Sequence, residues 1–371
     1  MKIKIPFTLT LVLSLVLVEI HTSCQQDNSN GATGNQIVHD LLVKTVSDEN
    51  IPGIIAAVLD SNGILLTGSA GVRKINSAEE ITTGDLFHIG SCTKAMTSAL
   101  LATLVADGLL KWETTITDVF PEYKDQIHMD YHQVTLHQLV THRSGIRANA
   151  ANWGAFSDQE IKERRVSIMK ANLEEPALNK DRVFLYSNLG YMIAGSMAER
   201  VTGKSWEILL NERIFGPLGM SSAGFGPPGT TDRVDQPWGH NMYGGEWQPS
   251  QADNPEAIGP AGTVHCSIED WGKFISLFLT KGDTKILTRE QIVALTEPVV
   301  DYACGWGVVE REWANGIALT HSGSNTMWFV TVWVAPELNR AYIAGTNSSN
   351  QRSAGVIDGI IGKLIGIDRE E

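Results

Sequence analysis

The chain is expected to adopt an α/β fold of the α+β type. One antiparallel sheet is built from both termini and flanked by helices, with a helical domain inserted between its halves. Three observations predict this. Strand patterns cluster at residues 54–70 and return after residue 306. The stretch between, about 110–298, alternates helical patterns with long Gly/Pro loops. A helix opening at Ser91 is apolar almost all round, through Ala95, Met96, Leu100, Leu101, Leu104 and Val105, and a helix of that kind belongs inside a core. Strands at the two ends of a chain meet most simply in one sheet covered by the terminal helices.

Taken in order, the chain opens with Lys2 and Lys4 before an apolar run at 5–18, with Cys24 following. The run is shorter than the ~20 residues a membrane-spanning helix needs, and its layout is that of an export signal over 1–23. Thr22-Ser23-Cys24 and the polar 25–30 resemble a bacterial lipoprotein cleavage site and tether. The sequence thus predicts export to the periplasm or cell envelope, a lipid on Cys24, and a flexible tether over 24–35. The folded domain is expected over 36–371, with a sheet part at about 36–90 and 299–371 and a helical part at about 91–298. Ile37, Val38, Leu41, Leu42 and Val46 share one helical face. Strands at 54–60 and 64–70 flank Ser61-Asn62-Gly63, a hairpin signal. Segment 158–172 carries enough charge to read as a solvated helix, and 225–247 as a long loop. Ser267 with Asp270 looks like a capping box opening a helix over 268–279. Strand patterns at 307–310, 317–321, 328–335 and 341–346 follow, with a turn at Asn315-Gly316 and an apolar helix over 355–367.

Composition narrows the function. The chain has 371 residues, 43% hydrophobic and 19% charged, with a formal net charge of −13. This is globular composition, not that of a disordered or coiled-coil chain. An acidic balance without a basic run argues against a nucleic-acid partner, because phosphate binding needs clustered cations. Four cysteines without a CxxC make no disulfide scaffold, and whether Cys266 and Cys304 pair is left open. His128 and His132 lack the carboxylate pattern of a metal site. Gly203-Lys204-Ser205 follows a helix where a phosphate loop would precede one, and no serine sits in G-x-S-x-G. No cofactor and no metal are called for.

The chemistry concentrates at Ser91-Cys92-Thr93-Lys94, an S-x-x-K. Residues three apart on a helix are neighbours, so the Lys94 amine can reach the Ser91 hydroxyl. A serine needs a base to become a nucleophile, and a lysine serves only when burial or a nearby cation lowers its pKa. The helix N-terminus favours a developing anion. S-x-x-K alone is weak, since it arises by chance about once in such a chain. A second copy, Ser167 to Lys170, lies in the charged segment and reads as surface. Two further pieces select Ser91. Tyr186-Ser187-Asn188 precedes an apolar helix, placing a phenol for proton sharing and an amide for a substrate carbonyl. His321-Ser322-Gly323, then Ser324, ends a strand whose edge can present N–H groups to an acyl group.

S-x-x-K, Y-x-N and H-S-G in this order resemble the serine β-lactamase and penicillin-binding-protein superfamily, on the branch of class C β-lactamases, D-alanyl-D-alanine peptidases and related esterases. The segments 87–90, 139–145, 216–220 and 260–262 are similar to that branch's recurring segments, and the resemblance runs from about 37 to 365. It implies Ser91 as nucleophile, Lys94 and Tyr186 as the proton-transfer pair, and Asn188, His321, Ser322, Gly323 and Ser324 as substrate contacts. It also implies an oxyanion hole from the Ser91 and Ser324 amides. Many β-lactamases carry lysine where this chain has His321, and an unperturbed histidine is mostly neutral at pH 7. The implied activity is an exported serine hydrolase acting on a β-lactam, a D-Ala-terminated peptide or a small neutral ester. A slowly acylating penicillin-binding protein is the rival reading, and the partner is a small molecule or peptide. His142 is expected to hold a loop together.

Overall fold

A computed structural model describes residues 28–370. The leader at 1–23, the lipid on Cys24 and the start of the tether lie outside the described residues. The helix α1, Asn28–Glu49, comes first, so the part of the tether from residue 28 to 35 is helical and not the flexible link expected. Its later turns are anchored: the Asn35 side chain accepts from the Thr67 amide at 2.8 Å, and Val38 and Leu42 are fully buried. The strands follow in chain order as β1 Gly53–Asp60, β2 Gly63–Gly71, β3 Leu86–His88, β4 Gly224–Phe225, β5 Gly239–Tyr243, β6 Glu246–Ser250, β7 Val264–Ser267, β8 Gly307–Arg311, β9 Gly316–Ser324, β10 Phe329–Ala335 and β11 Arg340–Thr346. The principal helices after α1 are α2 Thr93–Ala106, α3 Ile161–Leu173, α4 Asn188–Thr202, α5 Ile268–Ile275 and α6 Ser353–Glu370.

The main sheet has the order β2-β1-β11-β10-β9-β8. All five pairings are antiparallel, so the first and last segments of the chain share one sheet, as expected. β1 reads Gly-Ile-Ile-Ala-Ala-Val-Leu because both its faces are covered. Ile54, Ala56 and Val58 pack with Val38, Leu42, Ile357, Ile360 and Leu364 of the terminal helices. Ile55, Ala57 and Leu59 join the second core, with α2 and α4. Alternation along one strand thus separates two cores.

Three expectations are corrected. The loop at 225–247 contains the β5–β6 hairpin, turned by Gly244-Gly245 with φ of 61° and 87°; glycine supplies the left-handed pair that such a two-residue turn requires. Helix α3 is not simply solvated. Arg165 is fully buried, with Nη1 2.5 Å from Glu199 Oε1 and Nη2 2.5 Å from Glu207 Oε1. The helix expected over 268–279 stops as α-helix at Ile275 and tightens into a 3₁₀ turn. There Ser267 accepts from the Asp270 amide at 3.2 Å, but the Asp270 carboxylate turns to Ser222 and Lys273, leaving half a capping box. Cys92, Cys266 and Cys304 are buried and unpaired. Among the described residues no helix is long and apolar enough to cross a membrane.

Candidate active site

Ser91 lies in the 3₁₀ turn Gly90–Cys92 that feeds α2, and it is only half-buried where the residues after it are enclosed. Gly90 has φ 50°, and a Cβ there would stand 2.3 Å from the Ser324 nitrogen. Gly323 is the counterpart, since a Cβ on it would stand 2.0 Å from the Ile89 oxygen and 2.9 Å from the Ser91 nitrogen. Two glycines therefore let the nucleophile turn and the end of β9 touch backbone to backbone.

Lys94 is one turn further on and has no exposed surface. Its Nζ lies 3.1 Å from Ser91 Oγ, 2.7 Å from Asn188 Oδ1 and 2.7 Å from the Ala261 carbonyl. Burial lowers its pKa to about 7. Desolvation does this without a second cation. A neutral amine has two N–H groups, which the Asn188 oxygen and the Ala261 carbonyl take up as acceptors. Its lone pair is then left for the Ser91 hydroxyl proton.

The Tyr186-Ser187-Asn188 segment reaches the site through its middle residue. Ser187 has extended backbone and caps α4, its hydroxyl accepting from the Gly190 amide at 2.9 Å. In extended backbone successive side chains point opposite ways, so Tyr186 and Asn188 both face the lysine. Its Nζ is 4.8 Å from the Tyr186 ring centroid. Burial pushes the pKa of the Tyr186 phenol well above the usual value. His142, in left-handed backbone at φ 59°, accepts from the Ser187 amide at 3.0 Å and packs against Tyr186, the rings tilted by 40° with centroids 4.2 Å apart. It holds this segment, as expected, and burial keeps it neutral.

β9 places the remaining residues. His321 and Gly323 face the nucleophile turn, while Ser322 points to the other face, its hydroxyl 2.8 Å from that of Thr331. The Ser324 hydroxyl accepts from the Thr326 amide at 2.9 Å and meets Ser349 at 3.2 Å. His321 is largely enclosed, with burial lowering its pKa to about 4. Its Nδ1–H donates to the Ser322 carbonyl at 2.7 Å, so Nε2 is the acceptor and takes the Tyr302 hydroxyl at 3.2 Å. Neither ring nitrogen is free. The sequence reading missed Tyr302, and also Asn149, whose Oδ1 accepts from Asn188 Nδ2 at 2.9 Å. Neither belongs to a spaced motif, and only the fold brings them in.

The other candidates fall outside. Ser167 bonds Gln159 at 2.8 Å, and the Lys170 amine sits over the Tyr123 ring. His132 serves the Lys124 and Ile127 carbonyls, and no metal-type cluster occurs among the described residues. A surface groove of about 640 Å³ between α3 and α4 contains none of the residues around Ser91. The reacting groups lie instead where two backbones close on each other.

The family described as Beta-lactamase matches residues 38–361. Penicillin-binding protein 4 of Amycolatopsis lactamdurans is 26% identical over 280 residues, covering 74% of this chain and 72% of that one. The unguisins hydrolase of Aspergillus campestris is 22% identical over 355 residues, 88% of this chain and 65% of its own length, so the chain spans under two thirds of that relative. The D-amino acid amidase from Ochrobactrum anthropi, solved with L-phenylalanine amide, superposes with a TM-score of 0.72 at 20% identity, covering 91% of this chain and 98% of that one.

Proposed function

Because this chain belongs to the beta-lactamase family of serine hydrolases, we propose that Ser91 attacks the carbonyl of an uncharged ester or amide and carries the acyl group until water releases it. The observation that carries the reading is the Lys94 amine, 3.1 Å from the serine oxygen, wholly buried, with a pKa brought to about 7. In the first step the Ser91 proton passes to Lys94, helped by the Tyr186 phenol, as Oγ bonds to the carbonyl carbon. The charged amine so formed is held by the Asn188 and Ala261 oxygens. The tetrahedral oxyanion lies against the Ser91 and Ser324 amides. Collapse expels the alcohol or amine, which takes the proton back, and water repeats the sequence on the ester.

The closed ring of His321 bears on the substrate. It is neutral and both its nitrogens are engaged, so it offers no cation for a carboxylate. This favours small neutral esters and amides over β-lactams and D-Ala-terminated peptides, whose carboxylates would go unpaired there. The amidase of similar fold supports an amide as one member of that class. The test is intact-protein mass spectrometry with an activated ester, an amino acid amide and a β-lactam, alongside turnover of each. A Ser91 adduct that clears fastest with the substrates that carry no carboxylate supports the proposal. Ser91→Ala retaining full turnover would refute it. A penicillin adduct that persists, with no turnover of the others, would point instead to a slowly acylating binding protein. The basic start, apolar run and Cys24 support export to the cell envelope with a lipid on Cys24, which radiolabelled palmitate incorporation lost in Cys24→Ala would establish.

A further inference from the structure

Behind the nucleophile turn lies a buried polar chain that the proton transfers do not use. The Gly90 N–H donates to His88 Nδ1 at 3.1 Å. With that nitrogen accepting, the His88 proton sits on Nε2, which lies 2.9 Å from Asp253 Oδ1, a close polar contact that is off-line for a hydrogen bond. Both side chains are enclosed, His88 completely. The same Asp253 oxygen accepts from Asn325 Nδ2 at 2.9 Å. Asn325 Oδ1 in turn accepts the Met327 and Trp328 amides at 3.2 and 3.1 Å, which fixes the turn leaving β9. Next to Asp253, Asn254 Nδ2 donates to the Gly262 carbonyl at 2.8 Å, one residue beyond the Ala261 carbonyl that holds Lys94.

The ends of this chain are telling. Gly90 precedes Ser91 and Asn325 follows Ser324, so the chain ties together the two residues whose amides would receive the oxyanion. Those amides sit on different elements, the 3₁₀ turn and the end of β9, which meet backbone to backbone at Gly90, Gly323 and Ser324 and through the Cys92 thiol, 3.6 Å from the His321 carbonyl. None of these contacts is an N–H hydrogen bond that would fix the spacing of the two amides. An oxyanion hole is effective only where its donors are pre-set to the tetrahedral geometry, and displacement by about 1 Å can cost ~100-fold in rate. We propose that His88, Asp253 and Asn325 form a clamp that sets the spacing of the Ser91 and Ser324 amides, acting as positioning residues for the transition state. The inference rests on the serine-acylation reading above.

The test compares wild type with His88→Ala, Asp253→Ala, His88→Asn and Asp253→Asn. It uses kcat and KM on a p-nitrophenyl ester, the affinity of an aryl boronic acid whose adduct on Ser91 is tetrahedral, and the melting temperature. In the alanine variants kcat is expected to fall about 10- to 100-fold with KM within about threefold. Boronate affinity is expected to fall in parallel, and the pH midpoint of the rate to stay put because Lys94 is untouched. Asp253→Asn keeps an acceptor for Asn325 and is expected to restore most of the rate. If the alanine variants do not fold, His88→Asn carries the test, since it retains an acceptor for Gly90 but loses Asp253, and boronate affinity should still drop. Folded variants with unchanged boronate affinity, or losses confined to KM, would overturn the clamp. Failure of wild type to form any boronate adduct on Ser91 would instead sink the acylation reading itself.

Discussion

Lys94 starts from an ordinary pKa of 10.5 and is brought to about 7 by burial alone. A rate limited by acylation is therefore expected to rise with pH through that region and level off above it, in a pH–rate profile for an ester substrate. The midpoint belongs to the Lys94–Tyr186 pair and not to either group singly. His321→Lys places a second amine in the same dry space. A neighbouring cation disfavours the charged Lys94 further, so the midpoint should move to lower pH, and turnover should rise on carboxylate-bearing substrates alone. A midpoint that stays near 7, with no gain on such a substrate, would contradict the charge argument at position 321.

Two backbone arrangements between elements are equally exposed to test. Gly323→Ala puts a Cβ 2.0 Å from the Ile89 oxygen, so β9 must back away from the nucleophile turn. Overpacking of this kind costs roughly 1–3 kcal/mol, and turnover should fall with it, as a urea melt and an ester assay would show. Ser187→Ala removes the cap of α4, at a cost of about 1 kcal/mol. It also frees Tyr186 and Asn188, so its activity loss should exceed its stability loss. A variant that loses stability but keeps its rate would show that the cap does not position the site. The strands and α2 were legible in the sequence because their periodicity is strong and their turns carry Asn-Gly or Ser-Asn-Gly. The β5–β6 hairpin was not, although Gly244-Gly245 is a fair turn signal. Its strands, Gly-His-Asn-Met-Tyr and Glu-Trp-Gln-Pro-Ser, are mostly polar and bury only Gly239, His240 and Trp247, so no apolar alternation announces them.

Across the whole molecule, burial of titratable groups sets the pH dependence of stability. His240 and His321 are lowered to about 4 from 6.5, and His142 and His265 are lowered too. Each binds a proton more readily when unfolded, so this stability is fully present above pH 6.5 and is lost as pH falls toward 4. Lys94 works over a different window: its dry setting costs stability at and below pH 7, and the cost is relieved as pH rises from about 7 toward 10.5. The melting temperature is therefore expected to climb from pH 4 to 6.5 and not to turn down just above neutrality; a scanning-calorimetry maximum at pH 5 would refute this. Arg165→Ala leaves Glu199 buried without its cation, a loss of about 3–5 kcal/mol, measurable by denaturant unfolding. Replacement of both Arg165 and Glu199 by apolar residues should cost less.

The sequence by itself paired Ser91 with Lys94, because spacing along a helix is a property of neighbours in the chain, and only the resemblance carried by the order of its motifs grouped Tyr186, Asn188 and the 321–324 edge with them. Strand alternation at both chain ends likewise pointed to one shared sheet. Only the tertiary structure decided the state of those groups. Desolvation, which lowers Lys94 and neutralises His321, comes from what packs around a side chain. The partners that matter, the Ala261 carbonyl, Tyr302, Asn149 and the His88–Asp253–Asn325 chain, arrive from segments tens to hundreds of residues away. No local pattern encodes a hydrogen bond made across that distance, so a site whose members were readable had its electrostatics and its bracing settled by the fold.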